Sequence, residues 1–523
     1  MVAPALARLA GALLSGVLLV ICFPKPHLSF LAPVALVPLL LAIFTERRRF
    51  RLFLYGYASG ITFLAGSTPW IYSVLLTYGR LSAAAAAGVF CLFLAVFSLF
   101  FGLYSWWVGE LARRSRTLAL LLAPGIWVAM EFFRTHLILG FPWNLLGYAL
   151  AKHPELIQIS SVTGIYGVSF LLAVVNVALA GAWLVGTRRA LAWASATILL
   201  AAVLVAAQAH VPSAAPTSRA LLVQTNLPQL TAYDPNWVLN HQAEMQELYR
   251  LSVEEASKPS APRALVLWPE VPAPFYFHRD PLLRGQLMTL AQATQSYLLV
   301  GIVDYHKDPQ GVERPYNSAI LLAPSGEFVG QYDKMHLVPF GEHLPWRWLP
   351  RLVGRLVAEV SDFAPGESAT LLPAGDTRLG VVICYEAIFP GLVRRFVARG
   401  ADVLVNISND GWFGPSAAPA QHFNMARVRA VEARRYLLRA TNTGITAVID
   451  PYGRLLAQAP SAERTVLAAD FAPQRDRTFY VRYGDWFAWL CLAAGLAGLA
   501  RTLWLNAVEA RSRADDRGTG TTV

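Results

Sequence analysis

Three residues in the second half of the 523-residue chain have side chains suited to chemistry at a carbonyl carbon. Glu270 ends the run ALVLWPE, Lys334 lies in YDKMHLVPFGE, and Cys384 lies in RLGVVICYE. A cysteine is a strong nucleophile only as its thiolate, so it needs a base or a nearby cation. Glu270 could remove the thiol proton, and Lys334 could stabilise the thiolate and the oxyanion formed during attack. The three residues predict nucleophilic catalysis if the fold brings them together.

The positions of the other three cysteines bear on the role of Cys384. The chain has four cysteines, and Cys22, Cys91 and Cys491 fall within long apolar runs. Cys384 is therefore the only thiol in the polar part of the chain, where it has no disulfide partner. Such a thiol is either buried and inert or retained for its reactivity.

The three candidates lie where predicted strands end. Short apolar runs of strand type finish in polar residues at 220–226, 264–270, 297–305, 378–386 and 401–410. Helix-length stretches lie between several of them, at 236–256, 281–294 and 390–399. The segment 315–332 reads as a hairpin with its turn at Pro324, Ser325 and Gly326. This alternation predicts an α/β domain with layered sheets, in which chemistry collects at the strand ends.

Composition places this domain in a membrane protein. The chain is 55% hydrophobic and only 15% charged, with a net charge of +11, whereas about a quarter of the residues of an ordinary soluble protein are charged. Residues 213–480 hold 25 basic and 25 acidic residues, so the whole excess lies in the apolar flanks. Nucleic-acid binding needs basic residues gathered on a polar surface, and that class is excluded.

About eight apolar stretches are long enough to be candidate spans, since a helix needs roughly 20 apolar residues to cross a bilayer. They are 9–24, 28–45, 52–68, 84–109, 117–133, 163–186, 190–208 and 486–508. The first could be a signal peptide, but no small-x-small cleavage site follows it, which favours an uncleaved span.

Arginine distribution predicts the orientation, because short cytoplasmic connections retain positive charge. The connections 45–51, 110–116 and 187–189 and the tail are rich in arginine, and the alternate connections are poor in charge. Both termini are then cytoplasmic and the α/β domain lies outside. The predicted organisation is a membrane domain of seven helices (1–212), an external catalytic domain (213–480), an eighth span (481–509) and a cytoplasmic tail (510–523).

Four motifs in order resemble the nitrilase (carbon-nitrogen hydrolase) superfamily. They are WPE with Glu270, YDKMHLVPFGE with Lys334, ICYE with Cys384, and NISNDGWFG at 406–414. The resemblance implies a Glu-Lys-Cys triad in an α-β-β-α sandwich. The membrane helices, together with GFPWNLLGY at 140–148, make the chain similar to the apolipoprotein N-acyltransferase family.

This resemblance implies a two-step acyl transfer at the outer face of a bacterial inner membrane. Cys384 would take an acyl chain from a phospholipid as a thioester, and the α-amino group of a diacylated apolipoprotein would then attack it. Glu270 would act as base, and Lys334, with the backbone N–H of Tyr385, would stabilise the oxyanion. No cofactor or metal is implied.

The resemblance also marks further positions. Asn317, Glu342, Tyr385 and Glu386 match the supporting set of the family. Glu342 is expected to bond Lys334 or relay a proton rather than to be a plain surface carboxylate, and Asn317 and Glu386 could equally be structural hydrogen-bonding groups. The family tends to place a tryptophan where this chain has Tyr233, and Trp237 lies close by, so either aromatic residue could line a lipid pocket. The segments 231–240 and 343–363 could be lids that dip into the bilayer, or ordinary parts of the domain.

Two other functions compete. A membrane-tethered amidase or nitrilase would pass the same acyl group to water, although a soluble substrate would not require the membrane helices. A transporter or structural membrane protein with a degenerate domain would have no need to keep Glu270 and Lys334, and both are present.

Overall fold

A computed structural model describes residues 2–79, 81–185, 215–228, 237–258, 264–271, 276–307, 311–343 and 363–518. The N-terminal part is helical, with α1 Val2–Ile21, α2 Val37–Thr45, α3 Arg49–Ser67, α4 Trp70–Thr77, α5 Ala83–Arg114, α6 Arg116–His136, α7 Ser160–Thr163 and α8 Ile165–Val185. The later helices are α9 Trp237–Asn240, α10 Gln242–Ala256, α11 Pro281–Thr294, α12 Pro390–Ala398, α13 Ala418–Ala433, α14 Phe479–Tyr483 and α15 Trp486–Gly518.

Five helices among the described residues are long and apolar enough to cross a membrane, fewer than the eight expected. They are Pro4–Ile21, Ala83–Arg114, Arg116–His136, Ile165–Leu184 and Trp486–Ser512. The expected span 52–68 forms α3, but arginine, tyrosine and glycine lower its mean hydropathy. The expected span 190–208 lies outside the described residues.

The prediction of a continuous helix over 28–45 is wrong. A 3-10 turn and further turns precede α2, which has nine residues, because proline, such as Pro33, cannot donate a backbone hydrogen bond and disfavours a helix before it. Asn176 of α8 compensates for the break. Its Nδ2 donates to the Ala32 carbonyl (2.9 Å) and its Oδ1 accepts from the Leu36 N–H (2.7 Å). Broken backbone inside a helical bundle is tolerated when neighbours supply its hydrogen bonds in this way.

The arginine-rich connections 45–51 and 110–116 meet at one end of the bundle, where Arg113 donates to the Arg47 carbonyl at 3.1 Å. The third predicted connection, 187–189, lies outside the described residues. Arg8 lies 3.2 Å from Glu46, and Arg49 lies 2.6 Å from Glu110. Arg49 begins α3, whose 19 residues span roughly 28 Å at 1.5 Å per residue.

The α/β domain contacts the opposite end of the same helices. Gln421 of α13 donates to the carbonyls of Pro24, after α1, and Ser67, at the end of α3. Its Oε1 accepts from Trp143 Nε1 at 2.6 Å. The helical bundle therefore has an arginine-rich end and an end that holds the α/β domain.

The α/β domain has two six-stranded mixed sheets, which confirms the predicted α/β class. Their orders are β12-β1-β2-β3-β4-β5 and β11-β10-β9-β8-β7-β6. The first half of the strands comprises β1 Ser218–Gln224, β2 Ala264–Leu267, β3 Tyr297–Lys307, β4 Glu313–Leu322, β5 Phe328–Asp333 and β6 Leu371–Ala374. The rest are β7 Thr377–Ile383, β8 Val403–Ser408, β9 Leu437–Thr441, β10 Ala447–Ile449, β11 Leu455–Gln458 and β12 Thr465–Phe471. The predicted hairpin is formed by β4 and β5.

Alternation along the strands sets the layers, because successive side chains point to opposite faces of a sheet. In β1, Leu221 and Val223 belong to a core with α10 and α11. Ala220 and Leu222 belong instead to the core shared with the second sheet, which α12 and α13 cover. The order of layers is helix, sheet, sheet, helix, with α13 lying toward the membrane helices.

We expect Asn176→Leu to destabilise the helical bundle. The substitution leaves the Ala32 carbonyl and the Leu36 N–H buried without these bonds, at about 1–3 kcal/mol for each unsatisfied group. Thermal unfolding of the detergent-solubilised protein should show a clearly lower midpoint. Glu254→Gln, which breaks an exposed ion pair with Arg250, serves as control and should change stability by less than about 1 kcal/mol. Equal midpoints for the two variants would contradict the role given to Asn176.

Candidate active site

The three candidate catalytic residues lie at strand ends of both sheets. Glu270 follows β2 by three residues and Lys334 directly follows β5, both in the first sheet, whereas Cys384 directly follows β7 of the second. Their exposed fractions are 5%, 1% and 6%. The face-to-face packing of the two sheets thus brings together residues far apart in the sequence.

A buried ammonium lies between two carboxylates. Lys334 Nζ donates to Glu270 Oε1 at 3.1 Å and to Glu342 Oε1 at 2.8 Å. Asn317 Nδ2 donates to the same two oxygens, at 2.8 Å each. The two donors hold the carboxyl groups in place, and because an ammonium has three N–H donors, one remains for a further acceptor.

The carboxylates keep Lys334 charged. Burial alone would lower the pKa of Lys334, but the negative charges of Glu270 and Glu342 outweigh it and hold the pKa well above its ordinary value. The site therefore presents a permanent positive charge inside the domain.

The same environment keeps the thiol protonated at rest. Burial raises the pKa of Cys384 well above its ordinary value, and Glu270 raises it further, while Lys334 opposes both. A nucleophilic role for this thiol therefore requires a base that removes its proton, because little thiolate is present beforehand.

Glu386 ties the two halves of the site together. It is fully buried and accepts four hydrogen bonds, from Tyr332 Oη (2.7 Å) and from the backbone N–H groups of Met335 (2.7 Å), His336 (3.0 Å) and Ile383 (2.8 Å). The first three donors flank Lys334 on the first sheet, and Ile383 precedes Cys384 on the second. Burial raises the pKa of Glu386 to about 7, and the hydrogen bonds oppose that shift. Glu386 thus joins the loop that carries Lys334 to the turn that carries Cys384.

The loop after β8 completes the environment of Glu270. The backbone N–H of Asn409 donates to Glu270 Oε2 at 2.9 Å, so each oxygen of the carboxylate has a hydrogen-bond donor. Asn409 lies within the NISNDGWFG motif, but its donor is a backbone N–H, so the residue type alone could not predict this hydrogen bond.

A second buried network lies behind Cys384 and was not predicted. His422 Nε2 lies 3.0 Å from the Cys384 carbonyl oxygen, and Nδ1 lies 3.0 Å from Asp410 Oδ1. Arg439 Nη2 donates to Asp410 Oδ2 at 2.8 Å. Asp410 belongs to the NISNDGWFG motif, whereas His422 and Arg439 lie in α13 and β9 without a local signature.

The remaining predicted residues divide between the site and its surroundings. Tyr385 is buried beside Cys384, and its ring packs edge-on against Phe389 at 5.1 Å. Trp237 is 2% exposed and stacks on His241 within the core beneath α10. Its part in lipid binding stays a prediction, and Tyr233 lies outside the described residues.

Metal ligation has no candidate among the residues that the structure describes. No group of three or more His, Cys, Asp or Glu side chains there has an arrangement that could hold a metal ion.

Two family models match the chain. Residues 15–178 match the apolipoprotein N-acyltransferase N-terminal domain, and residues 222–479 match the carbon-nitrogen hydrolase family.

Two relatives match nearly the whole length of the chain. An apolipoprotein N-acyltransferase of Geobacter metallireducens is 40% identical over 505 residues, which are 94% of each chain. One of Methylococcus capsulatus is 36% identical over 496 residues, covering 93% of this chain and 94% of the relative. Among solved structures, an amidase from Nesterenkonia sp. is 22% identical, with a TM-score of 0.37, and covers 51% of this chain and 93% of its own.

Identity at this level and extent, together with helices able to cross a membrane, shows that the chain belongs to the apolipoprotein N-acyltransferase family, the multi-pass membrane acyltransferases of lipoprotein maturation.

Proposed function

We propose that this chain transfers a fatty acyl chain from a membrane phospholipid to the α-amino group of the diacylglyceryl-cysteine at the N-terminus of an apolipoprotein. The observation that carries the mechanism is the buried convergence of Glu270, Lys334 and Cys384, with Lys334 bonded to Glu270 at 3.1 Å. A nucleophile, a base and a fixed positive charge are what acyl transfer through a thioester requires.

In the first step, Glu270 removes the Cys384 thiol proton and the thiolate attacks the ester carbonyl of the phospholipid. Lys334 Nζ and the backbone N–H of Tyr385 stabilise the oxyanion. Collapse of this intermediate breaks the ester C–O bond, and the leaving alkoxide takes the proton from Glu270. The products are a thioester on Cys384 and a lysophospholipid.

In the second step, the α-amino group of the acceptor attacks the thioester and gives its proton to Glu270. The same donors stabilise the oxyanion, and collapse breaks the C–S bond. The Cys384 thiolate recovers a proton from Glu270, and the product is an N-acylated lipoprotein. Asn317 and Glu342 hold the side chains of Lys334 and Glu270 in position during both steps.

Contacts between the site and the membrane helices support a lipid donor. The loop after Asp410 carries the exposed Trp412, whose ring packs edge-on against Tyr78 of the α4 end at 4.9 Å. Tyr78 Oη donates to the Gly411 carbonyl, and Lys25 Nζ donates to the Pro415 carbonyl. The loop that begins at Asn409, the backbone donor to Glu270, thus rests on the membrane domain, which supports a donor that reaches Cys384 from the bilayer.

The segments 231–240 and 343–363 remain candidate lids, although most of their residues lie outside the described part of the chain.

Reconstitution with palmitoyl-containing phosphatidylethanolamine and a diacylated lipopeptide tests the proposal. We expect mass measurement to show one added, amide-linked acyl chain on the peptide and, without peptide, an acylated Cys384. Cys384→Ala should abolish both products while leaving expression and thermal stability intact. Release of free fatty acid without N-acylated peptide would favour the hydrolase instead, and full activity of Cys384→Ala would exclude a thioester.

Glu270→Gln should change thiol reactivity and catalysis in opposite directions. The Glu270 charge raises the pKa of Cys384 and Lys334 lowers it, so removal of the carboxylate should shift thiolate formation to lower pH. Alkylation of Cys384 by iodoacetamide should therefore have its midpoint at lower pH in the variant. Acylation by phospholipid should fall by about 100-fold or more because the general base is lost. Parallel changes in both rates would contradict the role of base.

Sidedness is proposed from the arginine distribution, with both termini cytoplasmic and the catalytic domain periplasmic. In a chain whose native cysteines are serine, Lys258→Cys on the catalytic domain should react with a membrane-impermeant maleimide in intact spheroplasts. Arg113→Cys at the arginine-rich end should react only after lysis. The reverse pattern would invert the topology.

A further inference from the structure

We propose that His422 is a positioning residue for the oxyanion donor: its hydrogen bond to the Cys384 carbonyl aims the backbone N–H of Tyr385 at the reacting carbonyl. The inference rests on the proposed thioester mechanism and adds a component that lies behind the nucleophile.

The backbone at the nucleophile is held in an uncommon conformation. Cys384 has φ +50°, in the left-handed region that residues other than glycine rarely adopt. Such a conformation costs of order 1–3 kcal/mol and persists only where the surroundings hold it. His422 Nε2, 3.0 Å from the Cys384 carbonyl oxygen, is a contact that can do so.

The proton on Nε2 follows from its partner. A carbonyl oxygen can only accept a hydrogen bond, so a lone pair on Nε2 at 3.0 Å would be repelled. The neutral ring protonated at Nε2 and the doubly protonated ring both satisfy this contact. His422 therefore donates to Cys384 whichever state Nδ1 adopts between Asp410 and Arg439.

Planarity carries the effect to the other side of the peptide. The Cys384 carbonyl and the Tyr385 N–H belong to one trans peptide unit, so they point in opposite directions. Fixing the carbonyl on His422 fixes the direction of the N–H away from His422. This N–H lies in the first turn of the 3-10 helix Cys384–Ile388, where backbone donors have no partner within the helix. The hydrogen bond to the carbonyl also polarises the peptide and strengthens its N–H as a donor.

His422 is itself held at both ring nitrogens and on one face of the ring. Ser408 Oγ and Arg439 both donate to Asp410, which faces Nδ1. The ring of Trp143, from the membrane domain, stacks on the imidazole at 6.0 Å with an interplanar angle of 26°. The imidazole is completely buried. A side chain so constrained can impose a direction on the peptide it bonds.

Two substitutions separate aiming the donor from filling space. His422→Phe keeps a ring against Trp143 but has no donor, whereas His422→Gln keeps an N–H able to reach the carbonyl. Each full-length variant is reconstituted with palmitoyl-containing phosphatidylethanolamine without acceptor. The acylation of Cys384, its alkylation by iodoacetamide and the thermal midpoint are then measured.

We expect His422→Phe to slow acylation by about 100-fold, as loss of one oxyanion donor does. Alkylation, which forms no oxyanion, should stay within threefold of wild type. The acylation rate of His422→Gln should be at least tenfold higher than that of His422→Phe. Equal slowing of acylation and alkylation, or acylation by His422→Phe at the wild-type rate, would overturn the inference. A wild-type protein that never acquires an acyl group on Cys384 would instead overturn the thioester mechanism on which the inference stands.

Discussion

The site depends on one buried charge, the ammonium of Lys334, held between Glu270 and Glu342 at 3.1 and 2.8 Å. An unpaired ammonium of this burial would be strongly destabilising, and two unshielded carboxylates would repel each other. Each group is therefore tolerated only because the others are present. Asn317 adds two neutral hydrogen bonds to the same oxygens, which fixes the geometry without changing the charge.

The candidate site draws its residues from both sheets. Glu270 and Lys334 lie at the ends of strands of the first sheet, and Cys384 lies at the end of a strand of the second. Glu386 joins them through hydrogen bonds on both sides of the sandwich, and the Asn409 backbone adds another link to Glu270. Separation of the sheets would leave a buried carboxylate without some of its hydrogen-bond donors, so the geometry of the candidate site and the stability of the sandwich are coupled.

Helix α13 links this geometry to the membrane. Its residue Gln421 bonds Trp143 and two carbonyls at the ends of membrane helices, and its neighbour His422 reaches the Cys384 peptide. Further along, Arg429 donates to Tyr148 Oη at 2.7 Å, and Glu432 accepts from the Ile165 N–H at 2.9 Å. Polar side chains of this one helix thus form hydrogen bonds both with the membrane domain and with the candidate site.

Local pattern in the sequence was sufficient for the α/β class, for strands such as β1, β2, β3, β7 and β8, and for three candidate catalytic residues at strand ends. It failed where length alone suggested a span. The stretch 28–45 is apolar but rich in proline, and the α8 residue Asn176 that makes its broken backbone tolerable lies far away in the sequence. Strands β6 and β9 to β11 were missed because they have only three to five residues each, and β12 was missed because it pairs with β1, far away in the sequence.

Residue type and order alone determined the chemistry available to this protein: one unpaired thiol in a polar domain, a carboxylate and an amine, and an uneven placing of arginine along apolar runs. The tertiary structure decided which groups lie together. The pairing of Lys334 with two carboxylates, the backbone donor of Asn409 and the contact of His422 with the Cys384 peptide all join segments from different strands and helices. Hydrogen bonds and charge pairs depend on distances of about 3 Å, and no spacing along the chain encodes such a distance between elements that meet only when the two sheets pack.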